Sequence, residues 1–197
     1  MKTLTTLNPP VKFYSKQGLW SLFLMCAFPL HIWTIILAFR DFSWVAERTD
    51  AWDAVGVVSY GLIFTFVESI AVFLVIAALG LLISRKWGEK KRLALLSALV
   101  VIVSLWAMVS HLYFLRETSL SPEIISFFVQ TSRPLRMLYV FAFLIVAPTF
   151  LIPAFFILRS EKVFSFVREG IERLSLLMIL YLILDIAALV IVVARNI

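Results

Sequence analysis

The sequence predicts an all-α, polytopic integral membrane protein: a five-helix transmembrane bundle with two short interfacial helices, in one domain covering residues 1–197. Three observations predict it. Hydrophobic residues make up 62% of the chain, with mean hydropathy +1.02. Charged residues are only 15%, where soluble domains carry about a quarter. The apolar residues also gather into five runs, each long enough to cross ~30 Å of hydrocarbon as ~20 residues of helix. No soluble fold of this size could hide so much apolar surface, so lipid must cover it.

The first run, GLWSLFLMCAFPLHIWTIILAF, occupies residues 18–39 and is closed by Arg40 and Asp41. It is too long for the apolar region of a signal peptide, and no small-x-small site follows it, so it is expected to insert and stay. The second run, 54–84, is too short for two crossings and long for one, which predicts tilt or a protruding end. The third covers 93–115, between Arg92 and Arg116. The fourth covers 137–158, between Arg136 and Arg159, and the fifth 174–194, between Arg173 and Arg195.

Two connections carry helical signals of their own. In SPEIISFF (121–128), a serine in N-cap position precedes Pro and Glu, a favourable helix start. In SEKVFSFVREGIERL (160–174), Val163, Phe164, Phe166, Val167, Ile171 and Leu174 recur at near-helical spacing, opposite Lys162, Arg168, Glu169 and Arg173. That pattern predicts an amphipathic helix lying on the inner leaflet and feeding the fifth span. The segment NPP (8–10) is expected to stop the N-terminal tail from extending the first helix.

The net charge of +6 comes from bases that flank the apolar runs rather than from a basic patch interleaved with aromatics, so nucleic acid is not an expected partner. Twelve of the eighteen bases fall on the side holding residues 1–17, 85–92 and 159–173. The positive-inside rule then places the N-terminus in the cytoplasm and the C-terminus outside. Trp20 and Trp87 would mark the inner interface, and Trp44, Trp52, Tyr113 and Tyr139 the outer one. The single cysteine, Cys26, permits no intrachain disulfide and reads as a small packing residue.

Four ionisable side chains lie inside the runs: His31, Glu68, His111 and Asp185. A charge at the bilayer centre costs ~2.5–3.5 kcal/mol on insertion scales, so each is expected to face protein or water. Glu68 and Asp185 sit near the midpoints of their spans. Thr65, Glu68 and Ser69 share a helix face, with Gly61 a turn away, and Tyr181 shares a face with Asp185. If those faces meet, the two carboxyls would share a proton. Three readings follow: protonated acids bonding neighbouring helices, a proton or cation path, or an acid that pairs with a base on another subunit. None of the five runs contains Lys or Arg, so such a base would come from elsewhere.

His31 and His111 both fall in the half of their spans nearer Arg40 and Arg116, offset by ~6 Å. Two histidines on two helices are an axial set for haem b. Structural hydrogen bonding and a relay with Glu68 are the competing readings. No zinc site is indicated, because the further ligands are missing. Pro29 frees the carbonyl of Met25, and Pro148 and Pro153 flank Thr149 in the fourth run, where kinks or an exposed-carbonyl cavity are expected.

The chain has no GxSxG, HExxH, Walker loop or dinucleotide fingerprint. Ser110 and His111 are adjacent, so they point ~100° apart on a helix and form a poor dyad. The leading expectation is a non-enzymatic accessory or scaffold subunit of a membrane complex, with lipid and other membrane subunits as partners and no cofactor. The alternatives are a small proton- or cation-coupled carrier or channel using Glu68 and Asp185, and a b-type haem subunit using His31 and His111.

Overall fold

The computed structural model describes residues 13–116 and 121–197. The NPP segment lies outside the described residues. The chain forms α1 (Lys16–Arg48), α2 (Ala51–Leu82), a 3-10 turn at Arg85–Trp87, α3 (Gly88–Leu115), α4 (Pro122–Val129), α5 (Pro134–Arg159) and α6 (Glu161–Asn196). All but α4 are long and apolar enough to cross a membrane.

The helices outrun the apolar runs. The 33 residues of α1 rise ~1.5 Å each, well beyond the hydrocarbon thickness. It passes Arg40 and Asp41, which pair side by side at 2.6 Å, and continues to Arg48, whose guanidinium stacks on Trp44 at 3.8 Å. Only Thr49 and Asp50 separate it from α2, because Asp50 caps α2 through the amide of Asp53 at 2.7 Å. Helix α2 therefore begins three residues before the second apolar run, at Ala51, and ends at Leu82.

One of the two expected short helices stands alone. Ser121 caps α4 by accepting from the amide of Ile124, and Phe128 meets Phe141 of α5 edge-on at 5.6 Å. The other, expected to lie on the inner leaflet and feed the fifth span, is continuous with it: residues 161–173 form the first turns of α6. Ser160 caps it, and no breaker lies between the amphipathic stretch and the span. Val163, Phe164, Val167, Ile171 and Leu174 are half-buried and continue in register with the buried Met178, Asp185 and Ala188. Its apolar stripe thus turns toward the bundle, while Phe166 remains exposed.

Helix α1 is central and packs against α2, α3 and α6. Helix α5 rests on α3 and α6 and touches neither α1 nor α2. One apolar cluster joins α1, α2 and α3 through Leu22, Cys26, Ile76, Leu96 and Val100. A second joins α1 to α6 through Leu24, Ala27 and Met178. Despite Pro148 and Pro153, α5 runs unbroken. Thr149, between them, donates to the carbonyl of Val146 and accepts from Trp106 of α3 at 3.1 Å.

Polar latches close both ends. At the N-terminal end, the amide and hydroxyl of Ser15 donate to Glu89 at 2.7 and 2.6 Å, and Tyr14 donates to the carbonyl of Ala77. Tyr14 and Leu96 press on Gly80, where any side chain would collide with them. At the other end, Arg195 pairs with Asp53 at 2.5 Å and donates to the carbonyl of Trp52. These latches tie the start of α1 to α2 and α3, and the end of α6 to α2, at opposite ends of the bundle.

Candidate functional site

Between the latches, helix geometry decides which intramembrane polar groups meet. His31 is fully buried on α1 and Asp185 is 8% exposed on α6. The imidazole Nε2 lies 2.9 and 3.1 Å from the two carboxyl oxygens of Asp185. Its Nδ1 lies 2.9 Å from the carbonyl of Ala27. A carbonyl only accepts, so Nδ1 carries a proton and donates it. One further proton then serves Nε2 and the carboxyl together. It sits on nitrogen, giving imidazolium and carboxylate, or on oxygen, giving neutral imidazole and carboxylic acid. The pair is electrically neutral either way, which is how two titratable groups are tolerated away from water.

The surroundings hold the pair in place. Pro29 lacks an amide proton for the carbonyl of Met25, yet α1 continues through it to His31. Tyr181, one turn before Asp185, stacks on Phe28 of α1 at 6.4 Å. Asp185 also borders a groove of about 800 Å³ between α1, α2 and α6, lined by Trp20, Phe23, Phe66 and Phe73.

One turn beyond His31, Thr34 meets Thr65 of α2 at 2.6 Å. The Thr65 hydroxyl donates to the carbonyl of Gly61, so Thr34 is the donor between them. Ser69, fully buried, donates to the carbonyl of Thr65 at 2.7 Å. Thr65 is therefore committed to the contact between α1 and α2, while Ser69 bonds back to its own helix.

Glu68 lies elsewhere, and the expected meeting of Glu68 with Asp185 does not form. Phe66 lines the groove shared with α6, and two residues further on a helix has turned ~200°. Glu68 consequently projects from the far side of α2. It is exposed, and it has no hydrogen-bond or ion-pair partner among the described residues. His111 also stays apart from His31: its Nδ1 accepts from the indole Nε1–H of Trp33 at 3.0 Å.

These bonds bear directly on haem. His31 has both nitrogens engaged within the protein. His111 spends the Nδ1 lone pair on Trp33, which leaves the proton of the neutral ring on Nε2. Neither imidazole offers a free lone pair to iron, and the residues present do not fit an axial pair. Among the described residues, no three His, Cys, Asp or Glu side chains converge as a metal site.

The sequence held a signal for the His31–Asp185 contact that reasoning by chemical likeness passes over. α1 and α6 traverse the bundle in the same direction, and each residue lies a similar number of positions past the start of its apolar run. Equal depth, rather than like charge, is the useful cue. No comparable signal marks Trp33 or Thr34 as partners, since each is an ordinary residue within an apolar run. The chain matches no protein-family model, no curated protein and no solved structure.

Proposed function

We propose that this multi-pass membrane protein is a non-enzymatic accessory or scaffold subunit of a larger membrane complex, with its N-terminus cytoplasmic and its C-terminus outside. A single observation carries the reading: three of the four intramembrane ionisable residues are satisfied within the chain, while Glu68 points outward from mid-span with no partner among the described residues. A carboxyl left against lipid is costly, so a position of this kind favours a covering protein. The asymmetric distribution of bases supports the orientation. Gentle solubilisation of native membranes followed by native electrophoresis tests the subunit role. The expected result is migration well above the 22.5 kDa chain with its detergent belt. Recovery of the chain alone, stable and unaccompanied, refutes it.

A second reading, a small proton-coupled carrier, is favoured by the proton shared between His31 and Asp185 at the edge of an open groove. It now rests on Asp185 with His31 rather than with Glu68. Proton flux into proteoliposomes that disappears in both His31→Leu and Asp185→Asn would support it. Flux absent from the wild-type protein, or unchanged in both variants, would dismiss it.

A further inference from the structure

The exposed side of α2 carries a pattern that identifies what covers it. Phe64, Glu68, Ala71, Val75 and Ala78, all exposed, follow one another in alternating steps of four and three residues. That is the 3.5-residue period of a left-handed helix seam, which keeps one row facing a partner helix over several turns. Phe64 is 71% exposed and Val75 60%. The row is uncovered because α1, α3 and α6 pack on other sides of α2, and α5 does not touch it. Its small residues allow the close backbone approach that helix pairs in membranes depend on. Glu68 lies within the row, near the centre of the span.

The carboxyl selects among occupants. A second copy of this chain brings no cation to that depth, because none of the five apolar runs contains Lys or Arg. His31 is buried against Asp185, and His111 lies nearer the end of its span. Lipid headgroups stay at the interfaces, far from mid-span. A transmembrane helix with a basic residue at mid-depth meets both requirements: an apolar seam along the row, and a cation for the acid within it.

We propose that this face of α2 docks one transmembrane helix of another protein, whose lysine or arginine at mid-membrane pairs with Glu68. The proposal rests on the subunit reading above and specifies the chemistry of the contact. The probe is a synthetic leucine-rich single-span helix with one central lysine, compared with the same helix carrying leucine there. Both are reconstituted with the full-length protein in phosphatidylcholine vesicles, and contact is read from a photo-crosslinking side chain installed at Val75. The expected result is an adduct favouring the lysine helix by about tenfold, equivalent to about 1.4 kcal/mol, with the preference abolished in Glu68→Leu. Continued protection of Cys26 from alkylation verifies that this lipid-facing variant is folded. Equal adducts with both helices, or a dominant adduct between two copies of the chain, overturn the proposal.

Native electrophoresis separates its failure from failure of the subunit reading. Loss or shrinkage of the wild-type complex in Glu68→Leu supports docking at this face. A complex that survives Glu68→Leu intact overturns the docking proposal and leaves the subunit role standing. A wild-type chain that migrates alone overturns both.

Discussion

Removing one member of the His31–Asp185 pair should destabilise the bundle, whereas replacing both should nearly restore it. Nε2 of His31 faces two oxygens at 2.9 and 3.1 Å, but it is one nitrogen making one divided bond, so the pair counts once. Interhelical hydrogen bonds in membranes are worth ~0.6 kcal/mol on average and up to ~1.7 kcal/mol. A bond shared between titratable groups belongs at the upper end. Asp185→Ala leaves Nε2 of a fully buried ring unpaired, at a further cost typical of orphaned polar groups, for a total of about 1–3 kcal/mol. Asp185→Asn keeps an acceptor and should cost less. His31→Leu strands the carboxyl and should cost about 1–3 kcal/mol by the same argument. The double variant His31→Leu/Asp185→Leu removes both polar groups together and should lie within about 1 kcal/mol of wild type or above it. Cys26 provides the assay: it is the chain's only cysteine, fully buried, and five residues before His31. Its alkylation by a fluorogenic maleimide across a denaturing detergent titration reports opening of α1. A double variant that loses as much as the two single losses added together would refute the reasoning, because it would mean no coupling between the side chains.

Thr65→Val removes the acceptor for Thr34 and the bond to Gly61, so it should cost about 0.6–1.7 kcal/mol in the same titration; an unchanged midpoint would show that the hydroxyl pair does not hold α1 to α2. Gly80→Leu drives a side chain into Tyr14 and Leu96 and should destabilise by about 1–3 kcal/mol; wild-type stability would mean that the Tyr14 latch is not seated there. Burial against α2 pushes the Tyr14 phenol above its ordinary value, with Arg92 partly opposing and Glu89 adding to the rise. Because the folded value exceeds the unfolded one, the latch's contribution is fully present below about pH 10 and is lost as pH rises through the folded value. Tyrosinate absorbance compared between wild type and Tyr14→Phe should show one phenol ionising late, and an early-titrating Tyr14 would refute the assignment.

Much of the architecture was readable because the bilayer imposes a length and a polarity on each segment. The five apolar runs became five spanning helices, and the Ser-Pro-Glu start of α4 was written in three residues. The ends were less legible. Arg40 and Asp41 read as a boundary, yet a helix tolerates charges once it has left hydrocarbon, and α1 continued to Arg48. For the same reason the amphipathic stretch at 161–173 became the beginning of α6, since nothing in it interrupts backbone hydrogen bonding.

By itself, the sequence determined that lipid solvates this protein, how many times it crosses, and which residues are expensive to place there. Hydropathy and period are local quantities, fixed by neighbours along the chain. Which expensive residues would meet was decided only by the packing of α1 against α2 and α6. Rotation of α2 about its axis turned Thr65 and Ser69 inward and Glu68 outward, and the common direction of α1 and α6 brought His31 to Asp185. Helix rotation and partner choice depend on side chains far apart in the chain; equal depth narrows the candidates, but no local pattern specifies the rotation.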